Sequence, residues 1–249
     1  MTEAIERVAA RLRDASRVLV ISGAGMSVDS GLPTYRGVGG LYDGIVTEEG
    51  LAIEDVLSGV MMVRDPALCW KYIMEVEAAC RGAHPNVGHR RIAQLEERAE
   101  VWVLTQNVDG LHRAAGSSRI IDIHGDVRQL TCTGCDHRRT VEDYEGLACP
   151  PRCPDCGSIL RPDVVLFGEM LPMAKVTMLE AQLVAGFDVV LSVGTSSLFP
   201  YIAQPVVLGR RQGALTVEIN PGDTVVSDVV DEKISRPASE ALDALWRAL

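Results

Sequence analysis

Five apolar runs of strand length recur along the chain, at 17–22 (RVLVIS), 101–105 (VWVLT), 119–123 (RIIDI), 188–193 (DVVLSV) and 214–219 (ALTVEI). Helical patterns lie between several of them, at 2–14, 87–98 (VGHRRIAQLEER), 173–185 (MAKVTMLEAQLVA) and 201–211, and 238–249 (ASEALDALWRAL) reads as a closing helix. Strands apolar on both faces and separated by helices predict an α/β fold, a doubly wound parallel sheet. An apolar fraction of 47% is ample for such a core, and aromatics at 4% leave Val, Ile, Leu and Ala to fill it.

Two stretches break the alternation. Residues 41–84 read as helical, with an apolar stripe through Val56, Leu57, Val60, Met61, Leu68, Tyr72 and Val76. Residues 130–163 hold five of the seven cysteines and little helical signal. Both are expected to be insertions that together form a smaller domain. The sheet domain then comprises 1–40, 85–129 and 164–249.

In an open α/β sheet, ligands bind beyond the carboxyl ends of the strands. Every unusual loop of this chain falls there: Gly23–Arg36 after the first run, Thr105–His112 after the second and His124-Gly125 after the third. Gly194-Thr195-Ser196 follows the fourth and Asn220 the fifth. The Gly23-Ala24-Gly25 turn is of the kind that brings backbone N–H groups up to a phosphate. The third glycine of the dinucleotide fingerprint is absent, because Val28 stands in its place. Taken alone, the turn reads equally well as a plain glycine turn at a strand end. Its continuation through Ser27, Asp29, Ser30 and Pro33 to Tyr35 and Arg36 is polar enough to touch the reactive part of a nucleotide as well.

Cys132-x-x-Cys135 and Cys153-x-x-Cys156, seventeen residues apart, have the spacing of two metal knuckles. Four protein thiolates complete a tetrahedral Zn²⁺ site with no open position, so the metal is expected to be structural. Cys149 is a surplus thiol and His137 a competing ligand. The net charge of −10 argues against nucleic acid as a partner. Residues 1–16 have the charge pattern of an amphipathic helix rather than of a signal peptide, and no run suits a bilayer span. The expectation is a soluble cytoplasmic protein.

These motifs together resemble the sirtuins, the NAD-dependent protein deacylases. The resemblance is carried by GAGMSVDSGLPTYR (23–36), TQNVDGLH (105–112), His124-Gly125, the two Cys-x-x-Cys pairs, VVLFGE (164–169), Gly194-Thr-Ser196 and Glu218-Ile-Asn220. It implies a Rossmann-like domain and a small domain made of a zinc-ribbon module and a helical insertion, with NAD and acyl-lysine meeting between them. It places Gly23, Ala24, Gly25 and Ser27 on the phosphate and ribose path, and Tyr35 and Arg36 at the nicotinamide-ribose end. Gln106, Asn107 and Asp109 would hold that ribose and the carboxamide. Gly194, Thr195, Ser196, Asn220 and Ala238 would surround the adenosine half. Val165, Phe167 and Gly168 would pair with the substrate as an added strand and line the acyl-lysine tunnel.

The implied reaction consumes NAD. The acyl oxygen of the substrate displaces nicotinamide, giving an O-alkylamidate. His124 then acts as general base on a ribose hydroxyl, and water releases lysine and O-acyl-ADP-ribose. His124 and Asn107 are the catalytic positions. The expected partners are acyl-lysine proteins or peptides, with neither nucleic acid nor membrane; the sequence does not fix the oligomeric state and is compatible with a monomer.

Two departures bear on the acyl group. Thr34 stands where many relatives have Asp, and with the following glycines it resembles the subgroup that removes succinyl and malonyl groups. That subgroup needs a Tyr-x-x-Arg pair, and the equivalent positions here are Ile73 and Val76. A register one residue earlier gives Tyr72 and Glu75. Neither supplies a guanidinium for a carboxylate, so a neutral acyl group is expected, acetyl first. The acidic-acyl deacylase and the protein mono-ADP-ribosyltransferase stand as alternatives. Asp126 replaces the commoner Ser after His124-Gly125.

Overall fold

The computed structural model describes residues 3–34 and 46–249. Tyr35, Arg36 and the glycines that follow them lie outside the described residues. In chain order the elements are α1 (Glu3–Asp14), β1 (Arg17–Ser22), α2 (Ile53–Val56), α3 (Gly59–Arg64), α4 (Pro66–Cys80), α5 (Val87–Leu95) and β2 (Glu100–Thr105). Next come α6 (Leu111–Ala114), β3 (Ile120–Asp122), β4 (Gly125–Cys132), β5 (Arg138–Thr140) and β6 (Leu160–Val164). The chain closes with α7 (Met173–Ala185), β7 (Val189–Val193), α8 (Pro200–Arg211), β8 (Leu215–Ile219), β9 (Glu232–Ile234) and α9 (Ala238–Ala248).

Six strands form one sheet in the order β3-β2-β1-β7-β8-β9, and every neighbouring pair is parallel. All five apolar runs are strands of this sheet. The sixth strand, β9, gave no signal in the sequence, because three residues at an edge, two of them charged, carry no apolar pattern. Val18, Val20, Val103, Leu191 and Val217 face a core closed by α1, α5 and α9, while Leu19, Ile21, Leu104 and Val190 face one closed by α7 and α8. Helices on both faces explain why the strands are apolar throughout rather than alternating.

The connection reverses between β1 and β7. The chain leaves β1 toward β2 and β3, then returns to lay β7, β8 and β9 on the other side. This is the switch point at which such sheets hold ligands. Gly25 N–H donates to the Gly194 carbonyl there at 2.8 Å, and Gly23 N–H to the Val193 carbonyl at 3.3 Å.

A second sheet, β5-β4-β6, is antiparallel. Its apolar face shares one core with α2, α3 and α4, through Val56, Leu57, Trp70, Ile73, Leu130, Tyr144 and Leu160. The Trp70 indole N–H donates to the Leu160 carbonyl at 3.0 Å. The helices start where the sequence caps them: Ser58 accepts from Met61 N–H, and Asp65, just before Pro66, accepts from Leu68 N–H, each at 3.1 Å. No helix among the described residues is long and apolar enough to cross a membrane.

Candidate active site and metal centre

Hydrogen bonds link several of the described polar candidates that follow β1, β2, β3, β7 and β8. From β2, Gln106 N–H donates to the Ser22 carbonyl at 3.1 Å, which holds the following loop against the end of β1. Asn107 then turns inward. Its side-chain amide donates to the Gly23 carbonyl at 3.0 Å and to Ser27 Oγ at 3.2 Å. Asn107 is buried, and its Oδ1 has no partner among the described residues. A buried carbonyl oxygen left open in this way is an acceptor awaiting a donor.

Asp109 accepts from Ser27 Oγ at 2.7 Å and from Leu111 N–H at 2.9 Å. Burial nonetheless raises its carboxyl above the ordinary range, and the neighbouring Asp126 carboxylate pushes the same way. Asp126, which the sequence could not explain, orients Arg128. It accepts from the Arg128 backbone N–H at 2.9 Å and from its guanidinium at 3.1 Å and 3.3 Å. The guanidinium fills the space beside Gly110, where an added Cβ would come within 1.9 Å of Arg128 Nη2. Asp126 and Arg128 therefore brace the loop that carries Asp109.

Across the switch point, Gln106 Nε2 donates to Thr195 Oγ1 at 2.8 Å, and Asn220 Nδ2 to the Thr195 carbonyl at 3.2 Å. Ser196 is exposed, Gly194 is half-buried, and Ala24 is half-buried on the turn after β1. Ala238 opens α9 with its methyl group inside the core of the large sheet.

His124 closes β3. Its Nδ1 lies 3.0 Å from the Gln106 carbonyl, and its Nε2 lies 2.7 Å from the Tyr201 hydroxyl. Burial and the nearby Lys175 ammonium lower its pKa below the ordinary value, against the opposing pull of the Gln106 carbonyl. The ring is neutral at neutral pH. Nothing in the sequence marks Tyr201, because the contact depends on which residue of the first turn of α8 faces the end of β3.

Val165 N–H donates to the His124 carbonyl at 2.9 Å, placing the 165–168 segment beside the imidazole. Phe167 N–H donates to the Leu57 carbonyl and its own carbonyl accepts from Gly59 N–H, at 3.0 Å and 3.1 Å. Those groups are engaged with the α2–α3 link, and the exposed Gly168, at φ +78°, lies just beyond them. Ile73 is buried and Val76 half-buried, both in the core of the smaller unit. In the alternative register, Tyr72 donates its hydroxyl to Glu49 at 2.7 Å, and Glu75 is exposed.

The four predicted cysteines converge. Cys132 and Cys156 Sγ are 3.4 Å apart and Cys135 and Cys153 Sγ 3.6 Å apart, and all four sulfurs lie within 4.8 Å of one another. A zinc tetrahedron with 2.3 Å bonds has sulfur edges of about 3.8 Å, so the donor set fits Zn²⁺. Cys149 is exposed and outside the group. His137 bonds Asp155 at 2.8 Å, and these two together with Cys153 make a second grouping.

Residues 23–199 match the model of the Sir2 family. The chain is 53% identical over 245 residues to a Pseudomonas aeruginosa protein named NAD-dependent protein deacylase 2, covering 97% of this chain and 94% of that one. It is also similar to the solved structure of a mutant Sir2 homologue with ADP-ribose, at TM-score 0.89 and 31% identity, covering 100% of this chain and 96% of that one. A structure of Sir2 with a p53 peptide and NAD⁺ matches at TM-score 0.84 and 27% identity, over 99% of this chain and 98% of that one.

Proposed function

From the premise that this chain belongs to the Sir2 family, we propose that it is an NAD-dependent deacylase of protein lysines, releasing nicotinamide and O-acyl-ADP-ribose. The observation that carries the reading is the pairing of a neutral, half-buried His124 with the open acceptor of Asn107 on adjacent strand ends. When bound, NAD supplies a cationic leaving group and an anomeric carbon that a weak nucleophile can attack. The protein's share is mainly position and proton handling.

Asn107 Oδ1 would meet a donor of the nicotinamide carboxamide or ribose, with Asp109 and Ser27 holding the loop around it. Gly23, Ala24 and Gly25 would follow the phosphates and Gln106 would sit at the nicotinamide ribose, while Gly194, Thr195, Ser196 and Asn220 would flank the adenosine half. Ala238 contributes through the start of α9 rather than through its buried methyl group. His124 would accept a proton at Nε2. Cys132, Cys135, Cys153 and Cys156 would hold a zinc ion that ties the ends of β4 and β6 together and takes part in no step.

Acyl-lysine peptides would enter along 165–168. The amides of Val165 and Phe167 are already engaged, which favours Gly168 as the main-chain contact and the Val165 and Phe167 side chains as the wall. The acyl group is neutral, acetyl first. Ile73 and Val76 are apolar, Tyr72 is held by Glu49, and Lys71 is paired with Glu48 and Glu49 at 2.8 Å and 2.9 Å. Mass spectrometry of reactions with NAD and acetyl-, butyryl- and succinyl-lysine peptides tests both levels. O-acetyl-ADP-ribose as the main product supports the reading. ADP-ribosylated protein without deacylation overturns it, and faster succinyl removal overturns the neutral-acyl assignment alone.

A further inference from the structure

Both ring nitrogens of His124 are occupied. The Gln106 carbonyl can only accept, so Nδ1, 3.0 Å away, carries the ring proton. Nε2 is then the nitrogen with the lone pair, and the Tyr201 hydroxyl must donate to it across 2.7 Å. Tyr201 is firmly placed. Its ring stacks on Phe199 with centroids 5.4 Å apart and planes 14° apart. Both rings meet the imidazole edge-on, Phe199 at 6.2 Å and Tyr201 at 5.9 Å. The phenol oxygen accepts no hydrogen bond among the described residues, so its lone pairs are open.

While the Tyr201 hydroxyl donates to Nε2, the path of a proton to that lone pair runs through the phenol. We propose that the Tyr201 phenol stands between substrate and base and passes the proton on. Its oxygen accepts the proton of the ribose hydroxyl while its own proton moves to Nε2 of His124. One hydroxyl O–H bond breaks and a phenol O–H bond forms; the former phenol O–H bond breaks and an Nε2–H bond forms. The ribose oxygen keeps its electron pair for attack on the acyl carbon, the phenol ends neutral, and the ring becomes imidazolium. No free phenolate is needed, in keeping with a Tyr201 hydroxyl pushed up to about 12 by burial.

The inference rests on the deacylase reading, and its test separates the two. Nicotinamide exchange reports the first half of the reaction and deacylation the whole. Tyr201→Phe is expected to lower deacylation about 100-fold, the scale of a lost acid–base group, while exchange changes less than about threefold. Fluorotyrosine at position 201, which keeps ring and hydroxyl, is expected to restore deacylation.

A second readout needs no nucleotide. ¹⁵N NMR of histidine-labelled full-length protein should show His124 as the Nδ1–H tautomer. Its pKa should rise in Tyr201→Phe, because a donor that favours the neutral ring has gone. Among the described residues, the charge acting on the ring is Lys175 on α7, which is paired with Asp122 at 2.9 Å and is unchanged by the substitution. Deacylation by Tyr201→Phe at the wild-type rate, or an unmoved His124 titration, overturns the relay. Equal loss of exchange and deacylation in a normally melting variant assigns Tyr201 a structural role and also overturns it. Absence of exchange in the wild type instead overturns the reaction, and the relay with it.

Discussion

Gly25 and Gly194 lie backbone against backbone. A Cβ on Gly25 would fall 2.8 Å from the Gly194 Cα, and one on Gly194 would fall 2.4 Å from Met26 N. Gly194 also has φ +56°. The Gly-x-Gly turn is thus required by its contact with the loop after β7, whatever it binds. Gly194→Ala is expected to destabilise the fold by about 2–3 kcal/mol through strain and backbone displacement. Gly222→Ala, with open space around it, serves as a near-neutral control. Urea midpoints of the two variants measure the difference.

Deacylation should persist into mildly acidic solution. The reaction requires neutral His124, whose pKa is lowered by burial and Lys175. The rate therefore holds as pH falls past 6.5 and declines only below it. The acidic limb of kcat/KM measures this, and a limb above pH 6.5 would contradict it. Lys175→Gln should move the limb upward, because the cation opposing protonation has gone.

Two buried histidines behave differently, as a liability in acid. His89 Nδ1 accepts from Asn86 N–H at 3.4 Å, so its proton sits on the unpartnered Nε2. His112 Nε2 bonds Ser22 Oγ at 2.8 Å, and the Ser22 hydroxyl donates to Thr105 Oγ1 at 2.9 Å. His112 therefore donates to Ser22 and leaves Nδ1 as an open acceptor. The rings are 4.8 Å apart, one with an open donor and the other with an open acceptor. Burial lowers His89 to about 4 and drives His112 well down. The unfolded chain binds these protons below pH 6.5 and the folded chain does not, so stability is lost as pH falls from 6.5 toward 4. For His89 the full loss is about 3 kcal/mol. Urea titrations at pH 7 and pH 4.5 should show a smaller drop for His89→Gln than for wild type.

Zinc content should be about one ion per chain by elemental analysis, following the four convergent thiolates. Cys132→Ala should lose the metal and the order of the β5-β4-β6 sheet, with a lower melting temperature. Cys149→Ser should keep both, because that thiol is exposed and outside the group.

The large sheet was legible because burial on two faces leaves an unbroken apolar run, which five strands possess and β9 lacks. The antiparallel sheet was not legible, since β5 has an exposed, charged start and β6 carries Arg161, Pro162 and Asp163. The cysteine cluster was legible because ligand spacing is local. Asn107, Asp109 and His124 were marked by their positions just after strands. Their partners Tyr201 and Arg128 were not, because those contacts are set by helix rotation and by a side chain folding back on a distant loop.

The Trp70–Leu160 hydrogen bond joins residues ninety positions apart in the chain. Synthesis proceeds from the N-terminus, so α2, α3 and α4 leave the ribosome long before the strand that covers them. During that interval the faces carrying Val56, Trp70 and Ile73 have no sheet to rest on. The smaller unit therefore completes its core late in the life of the nascent chain, and the large sheet waits too, because β7 must still be made to flank β1.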